Sequence, residues 1–100
     1  MPEPIEAHSP VSISGIVNME TVANLRAQLI GQITSSNFDD VEVDMHRVEI
    51  QGSAVIALLI SITREARAVR KKVIFFRCPD RLIAIARACG VDGILTLARE

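Results

Sequence analysis

One hundred residues, 49% hydrophobic and 23% charged, suit a single domain: one core of a few helices against one sheet. Eleven basic and twelve acidic side chains leave a net charge of -1, so no global field draws the chain to nucleic acid or to an anionic membrane. Aromatic content is 3% with neither Trp nor Tyr, which removes the platforms on which bases or sugars stack.

Residues 1–10 read as a loose start, proline-rich and acidic, the opposite of a signal-peptide n-region. Val11 to Ser14 alternate as a strand closed by Gly15. Asn18 is a good N-cap for a helix over 19–33, with Val22, Leu25, Leu29 and Ile33 on one face. Turn chemistry from Thr34 to Asn37 ends it, and Val41 to Met45 form the next strand. A second helix is expected over 53–69 and a third strand over Lys72 to Phe76. Pro79 suits the N1 position of a helix over 80–89, whose buried stripe is Leu82, Ile85, Ala86 and Cys89 and whose C-cap is Gly90. Ile94 to Leu97 read as a short last strand or extended tail. This alternation predicts an α/β domain over residues 1–100, with a mixed or mostly parallel sheet of about four strands.

The longest apolar run, Ala54 to Ile60, is far below the roughly 20 residues of a bilayer crossing. Cys78 and Cys89 form no ligand pattern and read as reduced core thiols, which fits a cytoplasmic protein. His8 and His46 have no partner at ligand spacing, so no metal site is expected. The five glycines build no phosphate cradle, and Ser53 lacks the elbow and oxyanion motif of a serine hydrolase. No catalytic residue, no cofactor and no enzymatic activity are expected. Arg64, Arg67, Arg70, Lys71 and Lys72 cluster where a helix ends; they complement its dipole and stay solvated, or else meet an acidic partner or phosphate groups.

The segment from Asp44 to Leu59 carries the functional signal. A strand leads to Gly52-Ser53, and the helix that follows has no polar residue from Ala54 to Ile60. A serine there is first of all an N-cap. Beside an apolar helix side it is also a phosphorylatable hydroxyl next to a docking surface.

The order of elements and these motifs resemble a STAS domain (sulfate transporter and anti-sigma factor antagonist), from about Val11 to Leu97. Ile13 to Asn18, followed by Thr21, is similar to the family's Leu-Thr-Gly-x-Leu-Asp start, with Asn18 in place of Asp. Val43-Asp44-Met45 with Val48 resembles the Asp-Leu-Ser-x-Val segment of antagonists. Gly52 to Leu59 resembles Asp-Ser-Ser-Gly-Leu-x-x-Leu, and Val73 to Val91 resembles the late strand, helix and Gly-Val/Leu ending. Two positions depart: the acid before the phosphoacceptor is Gly52, and the glycine two residues after it is Val55.

The resemblance implies a non-catalytic module that binds a serine kinase or anti-sigma factor in a partner-switching pathway, with Ser53 as the phosphoacceptor. The implied partner surface comprises Asn18 and Thr21 after the first strand, Gly52 and Ser53 after the second, and Ala54, Val55, Ala57 and Ser61 on the second helix. A small cytosolic STAS subunit that docks on the ATPase of a bacterial phospholipid-transport ABC complex is the alternative. The cytosolic tail of an anion transporter is a third. None of these readings includes a nucleic-acid partner or direct membrane insertion.

Overall fold

Val41, Val43 and Met45 alternate with Asp40, Glu42 and Asp44, and that alternation sets which side of the sheet is buried. The first set is buried and the second is exposed or half-buried. The computed structural model describes residues 11–98, in which strands and helices alternate. They are β1 (Val11–Val17), α1 (Val22–Thr34), β2 (Asp40–Ile50), α2 (Ala54–Ala68), β3 (Lys72–Phe76) and α3 (Asp80–Ala88). The sheet order is β1-β2-β3, with both pairings parallel and β2 at the centre.

Parallel neighbours joined by single helices require crossovers, and crossovers of one hand bring their helices to the same side. Accordingly α1 and α2 pack on each other, α1 against β1 and α2 against β3. Their shared core holds Phe75, Leu29, Ile33, Met45, Leu58, Leu59, Ile62 and Leu82 at under 2% exposure. No polar or charged residue is buried among the described residues. The opposite face of the sheet carries Ser12, Ser14 and Asp44, whereas parallel sheets are usually covered on both faces.

Expectation and structure differ at several places, each with a local cause. β2 runs on to Ile50, five residues past the expected end, because its alternation changes phase. Ser12 pairs with Asp44 and Ser14 with Arg47, so Met45 and His46 together stand opposite Ile13. This bulge leaves His46 and Arg47 both exposed before Val48 and Ile50 turn inward again. Gly15 beside it holds φ 105, a backbone state closed to most side chains.

α1 starts later than expected. Asn18 caps a turn rather than the helix: its Oδ1 accepts the N–H groups of Glu20 at 2.8 Å and Thr21 at 3.1 Å, and the helix begins after Thr21. The last expected strand is reduced to one parallel bridge, Phe75 to Leu97, flanked by Phe75 N–H to Thr96 O at 2.9 Å and Ala98 N–H to Phe75 O at 2.8 Å. Of the two thiols only Cys78 is in the core; Cys89, expected there, is exposed just beyond the last turn of α3. Burial pushes the Cys78 thiol up, which keeps it protonated.

Candidate functional site

Two loops meet at the C-terminal end of the parallel strands, where open α/β sheets place their ligands. The first follows β1. Thr21 Oγ1 donates to Ile16 O at 2.6 Å and accepts the Asn18 N–H at 3.0 Å, which closes residues 16–21 into a rigid turn. The second follows β2. Gln51 N–H donates to Val17 O at 3.1 Å, and Asn18 Nδ2 donates to Gln51 Oε1 at 3.2 Å. Asn18 and Thr21, expected at the site, therefore act first as its frame.

Gly52 then takes φ 76 and turns the chain into α2. A Cβ built there meets nothing within 4 Å, so glycine is needed for the backbone angle and not for space. Ser53 is exposed at the N-cap of α2 and makes no side-chain capping bond. The usual role of a helix-start serine is thus absent, and its hydroxyl is left facing solvent. No acidic residue occupies the first turn; Ile56 N–H is already bonded to Ser53 O at 3.0 Å, so it is the dipole of α2 and the N–H groups of Ala54 and Val55 that can receive negative charge.

The rest of the expected surface divides by helical phase. Val55 is 0% exposed and belongs to the core, with Ile56, Leu58, Leu59 and Ile62; its assignment to a partner surface is corrected. The apolar run offered no polar marker of its outer side, and Val55 lies one heptad before Ile62 on the inner one. Ala57 is exposed and Ala54 half-buried, which leaves a small smooth surface rather than a broad apolar one. Ser61 is engaged inside the molecule: its Oγ accepts Arg26 Nε from α1, and Arg26 Nη2 also reaches Glu65 at 3.4 Å.

Met19 escaped sequence reasoning. It is 82% exposed in the turn framed by Asn18 and Thr21, the most exposed of the large apolar side chains among the described residues. Its signal was a methionine set between polar turn residues, outside any helical stripe. Next to Gly52 opens a cleft of about 500 Å³, bounded by Glu49, Ile50 and Gln51 on β2 and its loop and by Pro79 and Arg81 at the start of α3.

His46, for which no ligand partner is expected, lies exposed in β2, its N–H bonded to Asp44 Oδ1 at 2.9 Å. His8 lies outside the described residues. Asp44 pairs with Arg77, which rests over the Phe76 ring at 5.8 Å. The Arg77 hydrogen bond, helped by the His46 N–H, holds the Asp44 carboxyl below its usual range against the opposing effect of burial. Among the described residues no three His, Cys, Asp or Glu side chains gather as a metal site, and no helix is long and apolar enough to cross a membrane.

The family model described as Mlab, STAS domain, matches residues 5–97. The chain belongs to the STAS domain family. No curated protein matches it by sequence. Among solved structures it is similar to the anti-sigma factor antagonist SpoIIAA in its unphosphorylated form, at 17% identity and TM-score 0.69, over 98% of this chain and 86% of that one. It is also similar to the Bacillus cell fate determinant SpoIIAA in the phosphorylated form, at 16% identity and TM-score 0.63, over 99% of this chain and 89% of that one. These likenesses extend the family assignment to the fold of the whole domain.

Proposed function

We propose that this STAS domain is a non-catalytic cytoplasmic docking module, antagonist-like, that binds a serine kinase or anti-sigma factor through the C-terminal end of its strands. Ser53 is the switch. One observation carries this reading: an exposed serine at the start of α2 whose hydroxyl is not spent on capping. Met19, Ser53 and Ala57 provide contact surface on the rigid frame of Asn18, Thr21 and Gln51.

Phosphorylation adds about 1.5 to 2 negative charges and three acceptor oxygens at neutral pH. The first-turn amides of α2 stabilise that charge in the free domain. Inside a contact the same charge must be desolvated, and binding is lost while the fold survives.

A second reading is an adaptor that docks on the ATPase of a phospholipid-transport ABC complex without a phosphate cycle. It is favoured by the family model, which is described as Mlab, and by Gly52, which stands where the resemblance expects the acid before the phosphoacceptor. Affinity capture from native lysate, followed by labelling with the captured protein and ATP, separates the two. A captured kinase that phosphorylates Ser53 and then releases the domain supports the switch. A captured transport ATPase that leaves Ser53 unmodified supports the adaptor.

A further inference from the structure

The opposite end of α2 carries a different feature: a cleft of about 260 Å³ lined by Thr63, Arg67, Lys71, Lys72, Ile94 and Thr96. Three of these side chains are cations. Lys71 Nζ donates to Ser36 O at 2.7 Å and Phe38 O at 2.8 Å, which fixes it in place with one N–H left over. Arg67 and Lys72 enter no ion pair among the described residues, although Asp40 stands beside Lys72 in the strand register. The Thr63 hydroxyl donates to Leu59 O at 2.9 Å and so offers only an acceptor, whereas Thr96 keeps its donor.

A helix C-terminus ordinarily repels anions. Here two of its last carbonyls are engaged: Ala66 O accepts the Lys71 N–H at 2.8 Å, and Arg67 O accepts the Arg70 N–H at 3.0 Å. A guanidinium, two lysines and a threonine hydroxyl thus border one cleft at the edge of β3, with no ion pair at Arg67 or Lys72 among the described residues.

We propose that this cleft binds a phosphate-class dianion. Arg67 supplies the planar two-donor grip, Lys71 and Lys72 the charge and Thr96 a neutral donor. Free orthophosphate and the phosphate of a phosphomonoester share this chemistry. Ile94, 52% exposed at the rim, gives an ester's organic part an apolar wall. The site is independent of the Ser53 reading, because the fifteen residues of α2 hold the two about 20 Å apart.

The test is an amide NMR titration of the full chain with sodium orthophosphate, run against sodium chloride at matched ionic strength. Saturable shifts at Arg67, Lys72 and Thr96 are expected. The double variant Arg67→Gln, Lys72→Gln should bind at least about tenfold more weakly, about 1.4 kcal/mol. If that variant fails to fold, Thr96→Val replaces it and should weaken binding by about fivefold. Phenyl phosphate is the second arm: tighter binding than orthophosphate identifies an ester as the ligand, and equal or weaker binding identifies free phosphate. Shifts that grow linearly, that chloride reproduces, or that persist in a folded variant would overturn the proposal.

Discussion

The two ends of α2 each place one residue in the left-handed region, and the residues differ. At the start, Gly52 adopts φ 76; at the end, Arg70 adopts φ 62. Glycine takes that angle freely, whereas a residue with a Cβ takes it at a cost of about 1 kcal/mol. α3 ends with the same hydrogen-bond pattern on Gly90, at φ 74, so the cost at Arg70 is not imposed by the motif. The first turn of α2 carries no charge and Ser53 before it is exposed, while its end keeps a cation at a position better suited to glycine. On the proposed reading the first end makes a contact that a charge can cancel, and the second holds an anion.

The largest expected effect joins both ends. Leu59 is fully buried midway along α2, and Leu59→Ala should cost about 2–5 kcal/mol by chemical denaturation. Both ends should be lost in the same transition; a surviving half would mean that they are not held by one helix.

Gly52→Ala should destabilise the domain by about 1–2 kcal/mol through its backbone angle alone, since no atom stands in the way of the new methyl group. Arg70→Gly should do the reverse and raise stability by about 0.5–1 kcal/mol, because a left-handed Cβ is removed. Melting curves of the pair check the asymmetry. Equal signs would end the contrast between the two ends.

A smaller effect concerns pH. The Asp44 carboxyl is held below its ordinary value of 3.8, first by the Arg77 hydrogen bond. A depressed folded-state pKa contributes stability above the unfolded-state value and loses it as pH falls through the folded one. Asp44→Asn should therefore lower stability near neutrality and flatten its fall below about pH 4. Acid titration of the melting temperature checks this, and an unchanged slope would count against the pair.

The fold was largely legible because hydrophobic period carries it. Val22, Leu25, Leu29 and Ile33 face inward as their spacing requires, and β3 runs over the residues expected. What escaped depends on contacts distant in sequence. The bulge at Met45 and His46 is set by pairing with β1, and no signal within β2 distinguishes it from a strand end. Arg26 with Ser61 and Asp44 with Arg77 join residues more than thirty positions apart, so each looked like an isolated polar side chain. Val55 was a different kind of miss: an unbroken apolar run hides which side faces out, and only the heptad to Ile62 would have revealed it. Ser53 was legible as a helix start, but its unused hydroxyl was not.

Ser53 is also where the account is most directly tested, by calorimetric titration of the captured partner into wild type, Ser53→Ala and Ser53→Asp, with melting curves alongside. Because the hydroxyl makes no capping bond, Ser53→Ala should stay within about 0.5 kcal/mol of wild-type stability, below the usual loss of about 1 kcal/mol for a cap, and should bind normally. Ser53→Asp should keep its fold to within about 1 kcal/mol, since the helix start accepts the charge. Its affinity should fall at least about tenfold, about 1.4 kcal/mol. Wild-type binding by Ser53→Asp would contradict the account and place the docking surface elsewhere on the domain.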